Sequence, residues 1–309
     1  MGAVRSIRFL AMGSECALHL YDGGEEAELA AVDEVLRIER RFSRYRPDSL
    51  VSEINRAAAE GRAVELDPEA SRLLDYAFAC RAKSGGLFDL TTGILRRAWN
   101  FNEARLPSND EIGRLLPYVG MDKLRWEPPV LSFPVPGVEL DFGGIGKEYA
   151  ADRAAAICRE RGVRHGLVDL GGDLCVVGPP PDCGSWTVRI RHPRIHDRPL
   201  AMVALERGGL ATSGDYERYI EVGGNRYCHI LNPATGWPAR GLRSASAVAG
   251  TCLVAGSLTT IAMLKAAEGA SWLESLGLPC LWVDDAGMPG GSLPISPEFA
   301  PPPDPRPTV

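Results

Sequence analysis

The sequence predicts an α+β fold in which mixed sheets pack against helices. Segments with the 3.6-residue apolar period of amphipathic helices occur irregularly among short runs of strand-forming residues. From residue 166 onward these runs follow one another through glycine turns, as they do in antiparallel hairpins. The regular alternation of strand and helix that a Rossmann fold requires is missing, so that fold is disfavoured.

The first half of the chain predicts a hairpin and three helices. Acidic residues open the first helix, a proline opens the second, and glycines end the second and third. The predicted elements, in chain order, are a strand pair within residues 4–22 that turns at Met12-Gly13-Ser14, a helix over Glu25–Phe42, a helix from Pro68 to Lys83, a strand over Val138–Phe142 and a helix from Lys147 to Arg161.

The second half predicts a meander and one buried helix. Gly171-Gly172 and Gly223-Gly224-Asn225 are typical hairpin turns. The predicted elements are strands over Gly166–Leu170, Leu174–Val177, Ser185–Arg191, Leu200–Leu205, Tyr219–Val222 and Arg226–Leu231, a strand through Ala245, Ala247 and Ala249, and a helix with Val254, Leu258 and Ile261 on one stripe.

Length and composition are those of one large globular domain. The 309 residues include 34 basic and 40 acidic side chains, for a net charge of −6, and 45% of them are hydrophobic. A mildly acidic chain excludes a generic nucleic-acid binder, which needs a basic face. Residues 1–285 are assigned to a single domain and residues 286–309, which hold eight of the 24 prolines, to a disordered tail.

No segment predicts secretion or a stable membrane span. The eight cysteines are scattered without a CxxC pair, which favours free thiols in a reducing compartment. The N-terminal residues lack a signal-peptide core and a lipobox cysteine, so a cytoplasmic location is expected. Ser244–Leu264 is uncharged over 21 residues, but only 13 of them are apolar. A buried strand and helix are therefore favoured there.

Four glycine-rich polar segments are candidates for ligand binding. Asp141–Lys147 leads into a predicted helix whose free N–H groups, dipole and lysine suit a phosphate. It is not a P-loop, because Glu148 stands where that motif needs a hydroxyl. The other segments are Ser84–Thr91, Leu210–Arg218, which lacks the GxSxG elbow of a serine hydrolase, and His229–Gly236. These residues predict an anionic, phosphate-bearing ligand and leave the chemistry open.

Taken together and in order, these segments resemble the ApbE family of FAD:protein FMN transferases. The resemblance spans about residues 8–270, and the order of the motifs makes it specific. The matching motifs are Met12-Gly13, Ser43-Arg44-Tyr45, Ser49, Ile54-Asn55, Ser84–Thr91, Asp141–Lys147, Tyr149–Asp152, Gly171–Asp173, Thr212–Tyr216 and His229–Gly236. The resemblance implies an ApbE-like, T-fold-related arrangement of mixed sheets and packed helices, with an FAD cleft between them.

The resemblance also implies a magnesium-dependent reaction. A threonine hydroxyl of an acceptor flavoprotein attacks the FAD pyrophosphate, FMN becomes esterified to that threonine, and AMP leaves. The implied catalytic residues are Thr260 and His229, the latter to position the phosphate or relay the threonine proton. The implied FAD-binding residues are Met12, Tyr45, Leu87, Phe88, Asp89, Asp141, Gly144, Lys147 and Ile230. The implied positions at Mg²⁺ are Gly144, through its carbonyl, Gly256 and Thr260.

Three positions depart from the family pattern. The last helix has Gly256 where the family pattern A-D-A-L-x-T has aspartate, whereas Thr260 is kept. Loss of an anionic ligand weakens the binding of a hard divalent cation. Asn232 replaces another aspartate, and Glu148 replaces a common glycine. Glutamate is harmless at a helix N-terminus, but a positive φ there would cost about 1 kcal/mol or more.

The substitution at Gly256 leaves two interpretations open. One is a working FAD:protein FMN transferase. The other is an FAD-binding family member with lost or altered catalysis, which acts as a carrier, a regulator or a weak FAD pyrophosphatase. An unrelated enzyme with a phosphate-bearing ligand is the third, less specific interpretation.

Overall fold

An eight-stranded antiparallel sheet forms the central layer of the computed structural model, which describes residues 4–182, 184–195 and 197–300. The strands are β1 (Arg5–Ala11), β2 (Ser14–Leu20), β3 (Val64–Glu65), β4 (Arg125–Glu127), β5 (Val130–Ser132), β6 (Gly166–Leu170), β7 (Asp173–Gly178), β8 (Trp186–Arg191), β9 (Pro199–Leu205), β10 (Gly209–Gly214), β11 (Tyr219–Val222), β12 (Asn225–Cys228), β13 (Leu242–Ala249), β14 (Cys280–Asp284) and β15 (Pro289–Gly291). The central order is β1-β2-β6-β7-β10-β13-β14-β15, and three small sheets are formed by β3-β5-β4, β8-β9 and β11-β12.

Helices of the large apolar core cover one face of this sheet. The helices of the described chain are α1 (Glu25–Phe42), α2 (Leu50–Glu60), α3 (Pro68–Ser84), α4 (Asn109–Leu115), α5 (Gly146–Glu160), α6 (Cys252–Leu264) and α7 (Gly269–Ser275). A 3₁₀ segment, Leu90–Arg97, follows α3. Helix α5 packs on α1, β6 and β7, and α6 packs on β10, β13 and α5. The mixed helix and sheet class that the sequence predicts is confirmed.

Alternation along the strands gives the sheet two apolar faces. Val168 and Leu170 of β6 belong to the large core that includes the helices. Leu167, the residue just before Val168, belongs to a second core with Val188 and Val203 of the β8–β9 hairpin. Successive side chains of a strand point to opposite faces, so the five residues of β6 contribute to the apolar cores on both sides of the sheet.

Local sequence signals place the helix ends where they were predicted. Helix α1 has the predicted bounds, with three acidic residues in its first turn. Asp67 caps α3 by accepting hydrogen bonds from the N–H groups of Glu69 and Ala70, and Gly85 ends it at φ +70°. Such a left-handed C-cap strongly favours glycine, because other side chains are strained there.

The predicted buried strand and helix within Ser244–Leu264 are confirmed as β13 and α6. Over the three described ranges of the chain, no helix is long and apolar enough to cross a membrane. Seven cysteines are buried free thiols, as expected, and Cys183 lies outside the described residues.

Two predictions were wrong. Val138–Phe142 is not a strand. The side chain of Asn55 accepts a hydrogen bond from the N–H of Leu140 at 2.8 Å and donates one to its carbonyl at 3.0 Å, so these groups are not available to a neighbouring strand. The predicted disordered tail, residues 286–309, is ordered at its start. Strand β15 pairs with β14, and Leu293 is buried in the core with the β8–β9 hairpin. Residues 301–309 lie outside the described chain.

Candidate functional site

The separated motif segments meet at one cavity of about 710 Å³. That volume lies within the roughly 300–1,000 Å³ typical of small-molecule sites. Walls come from the β1–β2 turn, the segment after α3, the start of α5, the end of β10, the segment after β12 and α6. The predicted site residues at these walls are Met12, Tyr45, Leu87, Phe88, Asp89, Asp141, Gly144, Lys147, His229, Ile230 and Thr260. Among the described residues Gly256 is not part of the cavity wall.

Apolar side chains form one wall of the cavity. Met12 adopts a left-handed φ of +53°, and its N–H donates to Oε1 of Glu39 at 2.6 Å. This hydrogen bond stabilises a conformation that is uncommon for a residue other than glycine. Phe88 is buried and Leu87 half-buried beside it, whereas Tyr45 is 71% exposed. The wall is therefore well packed at Phe88 and exposed to solvent at Tyr45.

Two aspartates, Asp89 and Asp141, also line the cavity. Asp89 accepts hydrogen bonds from the N–H groups of Thr91 at 2.9 Å and Met121 at 2.8 Å. Asp141 accepts from the N–H of Gly143 at 2.8 Å. Because both carboxylates are engaged by their own chain, they hold the cavity wall in shape. Their predicted contact with adenine or ribose groups of a ligand stays a prediction.

The N-terminus of helix α5, with its free N–H groups and Lys147, brings positive charge to the cavity wall. Ile145 is the N-cap, and no side chain of the described residues caps this helix. Lys147, in the first turn, forms an ion pair of 2.8 Å with buried Asp173. Burial alone would lower the pKa of Lys147, but the carboxylates of Asp173 and Glu148 raise it, so the lysine stays charged. A helix N-terminus with a fixed ammonium group suits an anionic ligand.

Glu148 lies beside this pair and against Gly256 of helix α6. The residue has an ordinary helical conformation in α5, so the strain considered for a positive φ does not arise. An ideal Cβ on Gly256 would lie 2.5 Å from Cγ and from Oε1 of Glu148. The carbonyl of Gly256 accepts a hydrogen bond from the hydroxyl of Thr259 at 3.0 Å. Burial, and then the Asp173 carboxylate, raise the pKa of Glu148.

Three hydroxyl groups meet where β10 packs on α6. Ser213 of β10 lies 3.1 Å from the hydroxyl of Thr260 and 2.9 Å from that of Thr259. Thr260 and Ser213 also line the cavity. The hydrogen bond between Ser213 of strand β10 and Thr260 of helix α6 fixes the rotamer of Thr260, so its oxygen has a defined position at the wall.

His229 is the histidine of the cavity wall that the motifs predicted. Its Nδ1 lies 3.1 Å from the carbonyl oxygen of Arg218, which also accepts the main-chain N–H of His229 at 3.0 Å. Because a carbonyl can only accept, Nδ1 carries the proton and Nε2 keeps its lone pair. Burial, followed by the positive charge of Arg96, lowers the pKa of His229 to about 4. The ring is therefore neutral at pH 7.

Several residues of the wall were missed as site residues, and five polar or charged ones illustrate why. They are Glu39, Arg96, Asp173, Ser213 and Arg218. Three of them, Asp173, Ser213 and Arg218, lie inside motifs that the sequence had already singled out, and their polar side chains were the available signal. Glu39 and Arg96 lie on helical segments without such a motif, so only the fold brings them to the cavity.

The polar atoms at the wall suit a hard cation through oxygen. Across residues 4–182, 184–195 and 197–300, no group of three His, Cys, Asp or Glu side chains is placed to hold a metal alone. Oxygens of other kinds are available from the Thr260 hydroxyl and the Gly144 main chain, next to the carboxylates of Glu148 and Asp173. Magnesium prefers such oxygen ligands and usually completes its shell with water and substrate phosphates.

Comparison with known proteins agrees with this geometry. The model of the ApbE family matches residues 12–282. The FAD:protein FMN transferase of Treponema pallidum is 30% identical over 298 aligned residues, which cover 85% of this chain and 82% of that protein. The crystal structure of an ApbE protein from Thermotoga maritima has a TM-score of 0.86 at 31% identity and covers 94% of this chain and 97% of its own. The apo form of the Pseudomonas stutzeri flavinyl transferase ApbE has a TM-score of 0.82 at 28% identity, with 93% and 92% covered. The chain belongs to the ApbE family.

Proposed function

We propose that this protein transfers FMN from FAD to a threonine hydroxyl of an acceptor flavoprotein and releases AMP. The observation that carries the proposal is the convergence of the separated motif segments on one cavity. An apolar wall and a helix N-terminus with a lysine share that space, as the ring system and the pyrophosphate of FAD require. The relatives named FAD:protein FMN transferases support the same activity.

The cavity provides a place for each part of FAD. Met12, Leu87 and Phe88 offer apolar surface to the isoalloxazine, and Tyr45 is free to cover it from the open side. The first turn of α5 and Lys147 donate to the pyrophosphate oxygens. Asp89 and Asp141 then face the adenosine half.

The transfer needs one proton to leave the attacking hydroxyl. The threonine oxygen forms a bond to the phosphorus of the FMN half, and the bond between that phosphorus and the bridging oxygen breaks, so AMP carries the electron pair away. His229 is neutral and has a lone pair on Nε2, so it can accept the threonine proton. Lys147 stabilises the charge that develops on the phosphates.

A divalent cation fits the oxygen-rich wall beside Thr260, and Mg²⁺ is the expected ion. Thr260, with its rotamer fixed by Ser213, and the Gly144 carbonyl are the predicted oxygens. When bound, Mg²⁺ neutralises the pyrophosphate and makes its phosphorus easier to attack.

Lost or altered catalysis is the second candidate, because Gly256 carries no carboxylate. Under this proposal the protein binds FAD as a carrier or regulator, or it hydrolyses FAD slowly to FMN and AMP.

A single incubation separates these candidates. Purified protein is mixed with FAD, Mg²⁺ and an acceptor domain that another family member flavinylates, and the acceptor mass and AMP are measured. The control acceptor has valine in place of the target threonine. A gain of one FMN on the threonine acceptor alone, with equimolar AMP, supports transfer. AMP without a mass gain indicates a pyrophosphatase, and FAD binding without AMP indicates a carrier; either result contradicts transfer.

A further inference from the structure

Helices α5 and α6 meet beside the cavity, where a side chain of α5 lies against a glycine of α6. Glu148 reaches from the first turn of α5, and the position opposite it on α6 is Gly256. An ideal Cβ on Gly256 would lie 2.5 Å from Cγ and 2.8 Å from Cδ of Glu148, which is closer than carbon atoms pack. Glu148 can therefore keep this position only because residue 256 has no side chain.

One oxygen of the buried Glu148 carboxylate lacks a hydrogen-bond donor in the described chain. The residue is 8% exposed and lines the cavity, and its Oε2 has no hydrogen-bond partner in the described part of the chain. The nearest ammonium group, that of Lys147, is paired with Asp173 at 2.8 Å. Two buried carboxylates thus share one fixed positive charge. A buried carboxylate is costly unless a cation or hydrogen-bond donors compensate it.

The face of α6 that meets Glu148 also carries Thr260. Residues 256 and 260 are four apart, so they lie one above the other on the same face of the helix. Thr260 presents its hydroxyl to the cavity, held by Ser213. The Glu148 carboxylate therefore belongs to the same wall as the Thr260 hydroxyl.

We propose that Glu148 supplies, from helix α5, the carboxylate with which this site holds its divalent cation, in the space that a side chain on residue 256 of α6 would fill. The inference rests on the proposed function, since the cation is the one that accompanies the FAD pyrophosphate. This proposal explains two departures from the family pattern together. The carboxylate that is missing at Gly256 of α6 is replaced by that of Glu148 on α5.

Manganese binding to the FAD-saturated protein tests this without relying on turnover. Free Mn²⁺ is measured by electron paramagnetic resonance for the wild type and for Glu148→Gln. The glutamine variant is expected to bind Mn²⁺ at least about tenfold more weakly, since even outer-shell partners of a metal site are worth 10- to 100-fold. FAD affinity without a cation should stay within about twofold, since uncharged glutamine keeps the shape. The matched control is Glu28→Gln, which removes a buried carboxylate of α1 that pairs with Arg5.

A charge exchange completes the test. The double variant Glu148→Gly/Gly256→Asp returns the carboxylate to α6 and is expected to regain Mn²⁺ affinity. Gly256→Asp alone crowds two carboxylates together and should melt at a lower temperature than the double variant.

The possible failures are distinguishable. Wild-type Mn²⁺ affinity in Glu148→Gln would overturn the inference and leave the proposed function standing. A double variant that binds FAD but no more Mn²⁺ than Glu148→Gln would also overturn it. If the wild type binds no Mn²⁺ with FAD present, the proposed cation-dependent function fails and the inference fails with it.

Discussion

Replacement of His229 by glutamine is expected to remove a pH dependence of stability that the fold creates. Burial and the nearby charge of Arg96 lower the pKa of His229 from 6.5 to about 4. The unfolded chain then takes up a proton in a range where the folded chain does not. The free energy of unfolding therefore falls as the pH drops from about 6.5 to about 4, and the full value is present above that window.

The magnitude follows from the gap between the two pKa values. A gap of about 2.5 pH units corresponds to roughly 3 kcal/mol, at about 1.36 kcal/mol per unit. Between pH 7.5 and pH 4, the wild type should lose roughly this much more stability than His229→Gln. Urea unfolding at both pH values measures the difference.

An NMR titration of ring-labelled histidines measures the pKa directly. The signal that disappears in His229→Gln should stay in its neutral position until the pH approaches 4. His19→Gln, on the β1–β2 hairpin, is the control and should leave that signal in place. If the signal lost in His229→Gln instead titrates near pH 6.5, the base proposed for the transfer does not have the lowered pKa that the structure gives it.

Three further substitutions, two at the cavity wall and one in the hydrophobic core, are tested by urea unfolding. Lys147→Met leaves the buried carboxylate of Asp173 without its partner, and should lower the free energy of unfolding by about 2–3 kcal/mol; an unchanged value would show that the pair is not formed. Gly93→Ala places a Cβ 2.8 Å from a neighbouring side-chain carbon and should cost about 1–3 kcal/mol, whereas Gly113→Ala, which meets open space among the described residues, should change stability by less than about 1 kcal/mol. Trp99→Ala empties a site that is 2% exposed and should cost about 3–5 kcal/mol, so a loss below about 1 kcal/mol would contradict its place in the core.

Elements with strong local signals were predictable. The β1–β2 hairpin, α1 and α3 have the predicted positions, because turn, capping and acidic residues act within a few positions of each helix or strand end. Val138–Phe142 has the alternation of a strand but is not one. The side chain of Asn55, more than 80 residues earlier, forms hydrogen bonds with both main-chain groups of Leu140. Apolar alternation reports burial of a segment and does not report its hydrogen-bond partner.

The candidate site shows the same division. Met12, Lys147, His229 and Thr260, which the motifs singled out, line one cavity in the structure. The motifs did not reveal the contact between Glu148 and position 256, which are far apart in sequence.

The sequence by itself determined the fold class, the ends of helices α1, α3 and α5 to within one residue, the family pattern and the residue types available for phosphate and flavin binding. The tertiary structure decided which of those groups face each other: that His229 is half-buried and neutral, that Lys147 is committed to Asp173, and that a glutamate of α5 fills the space left by a glycine of α6. The physical reason is that propensity and capping act over a few neighbouring residues, whereas burial, charge pairing and steric exclusion depend on chain segments that only packing brings together.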